Sequence, residues 1–262
     1  TAGIFSVSVP LAVKFCNENI AFTPKIGLGI KTEYIDLFLD GYRMIQFPNM
    51  DDLYWDGGGF HGNPDLKPEN GWGGDLTFNV HNVWLPFSLC IFTNYYENKI
   101  QWAGNTPENV ASAFYLGTDL NFEKSFWGNR IFVRGSGEYL YTKLLDKSKE
   151  SYGKRIMWTP DFVGSVSAGV NLPQVNSGDR PLNFSFMVDG NFMGVRFNSN
   201  LNASYMEPYF LLNLCGEVKI PSKNLEFVPY FRIDNVLNTA YESVTDYPMP
   251  GISAMLGLKI RN

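Results

Sequence analysis

Polar and apolar residues alternate along most of this chain, and helical periodicity is almost absent. Between Asp75 and His81, for example, every second side chain is apolar and those in between are polar. Successive side chains of a β-strand point to opposite faces, so this pattern predicts strands with one apolar and one polar face. It predicts about twelve strands, at roughly 4–15, 21–31, 34–45, 73–84, 87–102, 109–123, 129–144, 156–171, 182–197, 204–219, 225–237 and 251–261.

The lengths of the strands and of their connections favour a membrane-embedded sheet. The predicted strands run for 11–16 residues, whereas soluble proteins typically have strands of about five or six and a tilted strand of about ten crosses a bilayer. Short connections (Lys31–Glu33, Leu85–Pro86, Lys124–Gly128 and Pro221–Asn224) broadly alternate with longer polar ones (Phe47–Trp72, Asp146–Arg155 and Asn238–Pro250). Such alternation is typical of an antiparallel transmembrane β-barrel. The connections 172–181 and 103–108 depart from it, because the first is long for a turn and the second short for a loop.

The tryptophans fit the same layout. Trp84 and Trp127 fall beside short turns, and the others fall near the long loops, namely Trp55, Trp72, Trp102 and Trp158. Amphipathic aromatic rings favour the two interfaces of a bilayer, so two belts of tryptophan are expected there. A soluble β-sandwich, in which tryptophan fills the space between two sheets, is the alternative that the pattern leaves open.

Composition excludes several other classes of protein. Of the 262 residues, 45% are hydrophobic, 16% aromatic and 18% charged, and no uncharged apolar run is long enough for a membrane-spanning helix. The net charge of −5 argues against a protein that binds nucleic acid through phosphate contacts. Cys16, Cys90 and Cys215 are odd in number and far apart, which fits neither a disulfide framework nor a metal site.

A series of motifs between residues 41 and 251 resembles one family. The most specific is Gly62-Asn63-Pro64-Asp65-Leu66-Lys67-Pro68-Glu69, which resembles the GNPDLKPE signature of TonB-dependent outer-membrane receptors. The others, in chain order, are Gly41-Tyr42-Arg43 with 47–55, Ile100-Gln101-Trp102 with 107–110, Asp234-Asn235-Val236-Leu237-Asn238 with Tyr241, and Tyr247-Pro248-Met249-Pro250-Gly251. Their order and spacing are similar to those of the family, and the cobalamin and siderophore receptors are the nearest group in motif.

The motif residues are expected to be structural parts of a barrel. These are Asn63, Pro64, Leu66, Pro68, Glu69, Asn235, Tyr241, Tyr247, Pro248, Pro250 and Gly251. A proline fixes φ and cannot donate to a β-ladder, which suits a loop or the entrance of a strand. We expect Glu69 and Lys67 to bond loop backbone or each other.

The resemblance implies an all-β fold, an antiparallel transmembrane β-barrel. Residues 1–262, with about twelve strands, would be the C-terminal half of a 22-stranded barrel, and the plug domain would be absent from this chain. The first strand would run outward and the last inward, which puts the loop 47–72 outside the cell. The implied location is the outer membrane of a diderm bacterium.

The resemblance also implies active transport. The expected function is uptake of a scarce nutrient such as a ferric siderophore, haem or cobalamin, energised through TonB. The expected partners are the TonB complex (through the missing plug), the nutrient ligand, outer-membrane lipid and the barrel assembly machinery. Neither nucleic acid nor a cofactor is expected, and no enzyme activity.

One loop carries the candidate ligand-binding residues. It combines carboxylates with large aromatics, and the candidates are Asp51, Asp52, Tyr54, Trp55, Asp56 and His61. The aromatics could stack on a flat ligand, and the carboxylates could hold a hard cation, although their spacing is not that of a calcium loop and no metal site is predicted. The alternative is that Leu53, Tyr54 and Trp55 belong to the scaffold.

The predicted polar face carries charges of both signs. They are Asp36, Asp40, Asp75, Asp119, Glu123, Arg130, Arg134, Glu138, Asp189, Glu217, Lys219, Arg232 and Asp234. A channel that selects one ion has a stripe of one sign, so the mixture favours a hydrated wall around a plug.

Three other functions stay open at this point. A self-contained passive channel of about twelve strands requires the first strand to pair with the last. A soluble β-rich binding module requires no membrane. A barrel hydrolase requires His81 to lie near a serine such as Ser112 or Ser185.

Overall fold

The computed structural model describes residues 3–16, 19–110, 112–177 and 180–261. Within them lie one short helix, α1 (Met50–Tyr54), and the strands β1 (Ile4–Ser8), β2 (Leu11–Cys16), β3 (Asn19–Lys31), β4 (Ile35–Gln46), β5 (Asp56–Gly57), β6 (Phe60–His61), β7 (Glu69–Val80), β8 (Phe87–Glu97), β9 (Lys99–Ala103), β10 (Thr106–Val110), β11 (Ala113–Phe126), β12 (Ile131–Leu144), β13 (Phe162–Asn171), β14 (Val175–Ser177), β15 (Arg180–Met193), β16 (Arg196–Phe197), β17 (Tyr205–Met206), β18 (Tyr209–Pro221), β19 (Glu226–Asp234), β20 (Glu242–Val244), β21 (Tyr247–Pro248) and β22 (Ser253–Arg261). No helix in these ranges has the length and apolar character that crossing a membrane requires.

One large antiparallel sheet dominates the fold. Its strands follow the order β1-β3-β4-β7-β8-β11-β12-β13-β15-β18-β19-β22, with β2 paired to β3 and β14 to β15. Four small hairpins (β5/β6, β9/β10, β16/β17 and β20/β21) stand apart from it as separate two-stranded sheets. The all-β antiparallel fold predicted from the alternation is confirmed.

Several predicted strand limits were wrong, and single residues explain the largest errors. The predicted strand 4–15 is divided into β1 and β2 at Pro10, which has no N–H to donate and whose carbonyl accepts from the Lys25 amide at 3.0 Å. The predicted strand 87–102 ends at Glu97, because Asn98 adopts a left-handed backbone with φ of 55°. The chain beyond Asn98 enters the hairpin β9/β10 and leaves the sheet.

The remaining limits differ by a few residues. The predicted strand 73–84 is observed at 69–80, 109–123 at 113–126 and 156–171 at 162–171. A strand ends where its hydrogen-bonded partner strand ends. The alternation within one segment carries no information about the length of that partner, so it cannot predict the limit.

The two ends of the sheet differ in their connections, as predicted. One end, here called the turn end, carries the connections 32–34, 81–86, 127–130 and 222–225. The other, the loop end, carries 47–68, 98–112, 145–161, 194–208 and 235–252. Both exceptions noted in the sequence now have an explanation. The connection 98–112 is long because β8 stops early, and 172–179 contains β14, which pairs with the start of β15.

The sheet has an apolar face and a polar face, as the alternation predicted. On the apolar face, Leu76 stands opposite Leu39 and Ile91 in register. On the polar face, Asp119 stands opposite Glu138. Many side chains on the apolar face are exposed, so few side chains of the described residues are fully buried. A small cluster of buried residues (Ala113, Leu144 and Ile156) lies at the loop end.

The sheet is open at both edges in the described part of the chain. β1 pairs only with β3, and β22 pairs only with β19. Side chains of the last strand are correspondingly exposed, with Leu256 at 85%. The pairing of first and last strands that a closed twelve-stranded channel requires is not found among these residues.

Candidate functional site

The acidic and aromatic loop that carries the candidate ligand-binding residues lies at the loop end and begins with α1. Asn49 caps this helix, since its side chain accepts from the Asp52 amide at 2.7 Å and the Asp52 carboxylate accepts from the Asn49 amide at 3.2 Å. The second carboxylate oxygen of Asp52 accepts from the indole N–H of Trp102 at 3.0 Å. Both carboxylate oxygens of Asp52 therefore accept hydrogen bonds from neighbouring residues, and these bonds stabilise the loop.

The other candidate residues of this loop are displayed at the surface. Tyr54 and Trp55 are 59% and 52% exposed. His61 Nδ1 lies 2.9 Å from a carboxylate oxygen of Asp56, and both side chains are well exposed. Asp51 is exposed in the first turn of α1. The structure thus brings five candidates to one surface and leaves their recognition groups accessible.

Glycines allow this surface to fold back on α1. Gly58 and Gly59 have φ of 62° and 82° and form the turn of the β5/β6 hairpin. Gly62 follows the hairpin and donates to the Trp55 carbonyl at 2.7 Å. A Cβ at position 62 would lie 2.5 Å from the Tyr54 nitrogen, so only glycine permits this close approach of two backbones.

The segment Gly62–Glu69 is bound to the β9/β10 hairpin by side-chain amides. Asn63 donates to the Pro107 carbonyl at 3.1 Å, and its amide oxygen accepts from the Asp65 N–H. Asn109 accepts from the Lys67 N–H at 2.8 Å and donates to the Lys67 carbonyl at 2.9 Å. The motif is a clamp between two connections of the loop end, and each partner of the clamp comes from a segment that the sequence analysis had singled out.

Glu69 is the most buried acidic residue of the clamp. It is 2% exposed, and its carboxylate accepts two hydrogen bonds from the Lys99 ammonium at 2.9 and 3.0 Å and one from the Ile100 amide at 2.9 Å. Of the two alternatives expected for Glu69, a bond to loop backbone is confirmed by the Ile100 amide, whereas the pair with Lys67 was wrong, because Lys99 occupies the Glu69 carboxylate. Nothing in the sequence ranks one lysine above the other.

The closing motif forms a second compact turn at the loop end. Asn235 is 3% exposed and has φ of 52°, and its side chain bonds the Thr239 amide and carbonyl at 2.9 Å each. Asn238 accepts from the Ile252 amide at 3.0 Å. Tyr241 packs against Tyr209 with ring centroids 4.7 Å apart and the ring planes tilted by 44°. Tyr247, Pro248, Pro250 and Gly251 line the exposed part of this turn or its exit into β22.

Side chains that the sequence analysis missed join the loops to one another. Gln101 donates to Asn200 at 3.0 Å, and Asn202 bonds the backbone of Arg155 in both directions. Arg196, which is 6% exposed, donates to the Glu242 carbonyl and lies over the Tyr209 ring. The loops 47–68, 98–112, 145–161, 194–208 and 235–252 form one connected layer over the loop end. These partners are far apart in sequence and have no local signal.

One acid in this layer has a lowered pKa. The hydroxyl and the amide of Ser148 both bond a carboxylate oxygen of Asp146, at 2.6 and 3.0 Å. These bonds stabilise the charged form and lower the pKa of Asp146 below its usual value.

The polar face below this layer holds the predicted mixture of charges. All of the charged side chains predicted for it occupy polar-face positions of strands except Arg130, which lies in the turn between β11 and β12. A cleft of about 920 Å³ near the turn end is lined mainly by serine, asparagine and charged side chains, Asp189 and Arg232 among them. This arrangement is that of a hydrated wall.

The residues proposed for a hydrolase do not come together. His81 Nε2 lies 3.2 Å from Asp36. Ser112 bonds Tyr95 at the loop end, and Ser185 bonds Asn171. Among the described residues, no group of three or more His, Cys, Asp or Glu side chains has the arrangement of a metal site.

Comparison with known proteins identifies relatives of this fold. A family model described as TonB dependent receptor-like, β-barrel, matches residues 17–236. A search of curated proteins found no match. The ferric preacinetobactin receptor BauA of Acinetobacter baumannii is 16% identical with a TM-score of 0.68, and the match covers 91% of this chain and 36% of BauA.

Two further solved structures are similar. The unliganded ferric citrate transporter FecA is 13% identical with a TM-score of 0.72, covering 92% of this chain and 38% of FecA. A variant of the ferric enterobactin receptor PfeA of Pseudomonas aeruginosa, in complex with enterobactin, is 18% identical with a TM-score of 0.69, covering 98% and 43%. The chain therefore spans about two fifths of the length of these structures, and at these identities the likeness shows the fold.

Proposed function

This chain belongs to the TonB-dependent receptor β-barrel family, and from that premise we propose that it supplies part of the wall and several outer loops of a nutrient transporter. TonB-dependent receptor barrels are outer-membrane proteins of Gram-negative bacteria, and the relatives named above are receptors and transporters. We place this chain in the same membrane, with its loop end outside the cell. The transported nutrient is a ferric siderophore, haem or cobalamin, and its uptake is energised through TonB.

The observation that carries the proposal is the combination of a two-faced sheet with a connected layer of loops at one end. The apolar face suits lipid and the polar face suits a hydrated interior. The clamp around Glu69 fixes the loop layer, and the layer displays Tyr54, Trp55 and His61 to the outside. Exposed aromatic rings held on a fixed support can contact a ligand without a large loss of conformational entropy.

We further propose that the chain is the C-terminal portion of a 22-stranded barrel whose plug and other strands lie outside it. The unpaired edges of β1 and β22 support this, because an open edge of a transmembrane sheet leaves backbone N–H and C=O groups unsatisfied in lipid. The same two edges argue against the passive channel, which has to close on itself. The wide exposure of the apolar face argues against a soluble module.

Uptake by whole cells tests the proposal. Ferric siderophores carrying radioactive iron, radiolabelled haem and radiolabelled cobalamin are presented to cells that produce the receptor containing this chain, with and without TonB. We expect one ligand class to bind in both strains and to accumulate only in the strain with TonB. Accumulation without TonB, or ion conductance of the purified chain alone in a planar bilayer, would instead establish a passive channel.

A paired variant tests the displayed aromatics. Replacing Tyr54 and Trp55 by Ala removes two exposed rings, and we expect surface binding of that ligand to weaken about tenfold. Tyr152→Ala is the matched control, because this ring is also exposed (42%) but lies over Lys143. An equal loss of ligand binding in both variants would show that the loop 50–61 is not part of the ligand site.

A further inference from the structure

A cavity lies in the loop layer between the loops 194–208 and 235–252. Its volume is about 390 Å³, which is near the lower end of the range for small-molecule sites. Three tyrosines, Tyr205, Tyr209 and Tyr241, and two carboxylates, Glu207 and Glu242, are among the residues that line it. The size and the lining together make this cavity a candidate binding site that is separate from the loop 50–61.

Hydrogen bonds between the two loops fix the walls of the cavity. The Asn198 side-chain amide donates to the Thr245 hydroxyl at 3.1 Å, and the Arg196 guanidinium donates to the Glu242 carbonyl at 3.2 Å. Arg196 is buried and stands opposite Met206, another lining residue, in the β16/β17 ladder. Because the walls are joined before any ligand enters, binding loses little free energy to ordering them.

The tyrosine rings of the cavity can attract a cation. The face of an aromatic ring carries partial negative charge and attracts a cation that lies within about 6 Å of the ring centre. The structure contains one example, since the Arg196 guanidinium lies 5.2 Å from the centre of the Tyr209 ring, against which Tyr241 also packs. Tyr205 is 55% exposed, and among the described residues no cation lies over its ring. The Tyr205 ring is therefore accessible to a ligand.

The carboxylates give the cavity a negative charge. Among the described residues, neither Glu207 nor Glu242 forms a salt bridge, and no lysine, arginine or histidine lines the cavity. The charge remains negative when the neighbouring Arg196 is counted, and negative charge in a partly enclosed space concentrates cations there. A calcium ion takes about six to eight oxygen ligands, and the described part of the chain holds no cluster of that kind. An organic cation suits this lining better, because it can also use the rings.

We infer that this cavity binds a small organic cation, a soluble alkylammonium compound. The charged nitrogen would lie near Glu207 and Glu242, and its carbon substituents would pack on Tyr205 and Tyr241. An inorganic cation gains little from the rings, and an uncharged molecule gains little from the carboxylates, whereas an alkylammonium uses both. The inference goes beyond the transport function and does not depend on which nutrient is transported.

Binding of choline by the receptor that contains this chain tests the inference. The receptor is purified in dodecyl maltoside, an uncharged detergent, and binding is followed by ligand-observed NMR. The reference probe is 3,3-dimethyl-1-butanol, which has the shape of choline with a carbon atom in place of the charged nitrogen. Each ring that contacts a cation strengthens its binding several-fold, so we expect choline to bind about tenfold more tightly than the uncharged alcohol.

Variants locate the preference for choline. Glu207→Gln removes a charge and keeps the shape of the side chain, Tyr205→Leu removes a ring, and each is expected to reduce the ratio to within about threefold. Tyr205→Phe keeps the ring and is expected to keep the ratio. The matched controls are Glu150→Gln and Tyr152→Leu, because both residues belong to the loop layer, are exposed and do not line the cavity. Circular dichroism and heat-dependent gel migration confirm that each variant has folded.

The outcomes separate the possible failures. Equal binding of choline and the alcohol, binding of neither, or an equal loss in the control variants would overturn the inference, as would a loss in Tyr205→Phe as large as in Tyr205→Leu. Displacement of choline by an equal concentration of calcium would show carboxylates acting without the rings and would also overturn it.

Glycerophosphocholine distinguishes a soluble cation from a lipid headgroup, because it carries the same ammonium beside a phosphate. We expect it to bind more weakly than choline, since the carboxylates repel the phosphate. Tighter binding would show a headgroup site and would overturn the assignment to a soluble cation. A failure of nutrient uptake leaves all of these binding ratios unaffected.

Discussion

Replacement of Glu69 by Ala is expected to release the β9/β10 hairpin from the start of β7, at the loop end, without unfolding the large sheet. The variant removes an acceptor that is 2% exposed and leaves the Lys99 ammonium, itself 25% exposed, without its carboxylate. It also leaves the Ile100 amide without its acceptor. The large sheet keeps every ladder partner, because the hairpin is a separate two-stranded sheet.

The magnitude follows from the burial of this pair. Removing one partner of a buried ion pair costs about 3–5 kcal/mol. Lys99 can still reach water through its exposed part, so the lower end applies, and we expect about 3 kcal/mol for local opening of the hairpin. This corresponds to an equilibrium constant for opening of residues 99–110 that is about 100-fold larger. Glu69→Gln keeps a carbonyl acceptor for Ile100 and is expected to lose about half as much.

Hydrogen–deuterium exchange measures this directly, since it reports opening segment by segment. We expect faster exchange in 99–110 and in the clamped segment 62–68, with β13, β15 and β18 unchanged. In a double-mutant cycle, Glu69→Ala combined with Lys99→Met is expected to cost less than the sum of the two single changes, because no unpaired charge remains.

Glu108 provides the matched control on the same hairpin. It lies 3.9 Å from Lys149, and both side chains are about half exposed. Exposed pairs contribute about 0–1 kcal/mol, so Glu108→Ala is expected to change exchange little. If Glu69→Ala left the exchange of 99–110 unchanged, or accelerated β13 as much as the hairpin, the buried pair would not be what anchors the loop layer.

Three other changes test separate parts of the loop end. Asn235→Ala removes two side-chain bonds to Thr239 and places Ala at φ of 52°, so we expect a loss of about 2–4 kcal/mol in urea unfolding, which Asn235→Gly reverses in part. Gly62→Ala is expected to raise exchange in α1, because the new Cβ would meet the backbone at 2.5 Å. Gly57→Ala is the control, because its Cβ would lie no closer than 3.7 Å to the Trp55 ring. Ser148→Ala is expected to raise the pKa of Asp146 toward its usual value, which carboxyl-carbon NMR measures. Because the folded state lowers this pKa, the charged Asp146 stabilises the fold at pH values above its usual pKa. This stabilisation is lost as the pH falls through the lowered pKa of the folded state.

The architecture of the sheet was predictable because it depends on local information. A strand between lipid and water has to alternate, so the face of Leu76 or Asp119 is fixed by its own neighbours in sequence. The series of motifs indicated the family, and the expected direction of each strand follows from the family. The limits of the strands were less predictable, because Pro10 and Asn98 act through one backbone group each, and the alternation continues past both of them.

The loop layer was predictable in its members and not in its contacts. The sequence marked Glu69, Trp102 and Asn109 as parts of motifs, but their partners lie 30 or more residues away in most cases. Lys67 is closer to Glu69 in sequence than Lys99, and only the path of the β9/β10 hairpin brings Lys99 to the carboxylate. Partners such as Gln101 and Asn200 belong to loops whose relative positions are set by the order of strands in the sheet.

A division of roles within the first long loop follows from these contacts. Side chains that point into the clamp, such as Asp52 and Glu69, have their acceptors filled and cannot also hold a ligand without releasing the loop. Side chains that point out, such as Tyr54 and Trp55, are more than half exposed, and the hydrogen bond from the Trp55 indole goes to the Gly57 carbonyl within the same loop. Because the clamp already orders the loop, a ligand that replaces water on these rings loses little binding free energy to ordering the loop. Changes to the clamp should therefore weaken binding mainly by loosening the loop, and changes to Tyr54 or Trp55 should weaken binding while exchange in 99–110 stays the same.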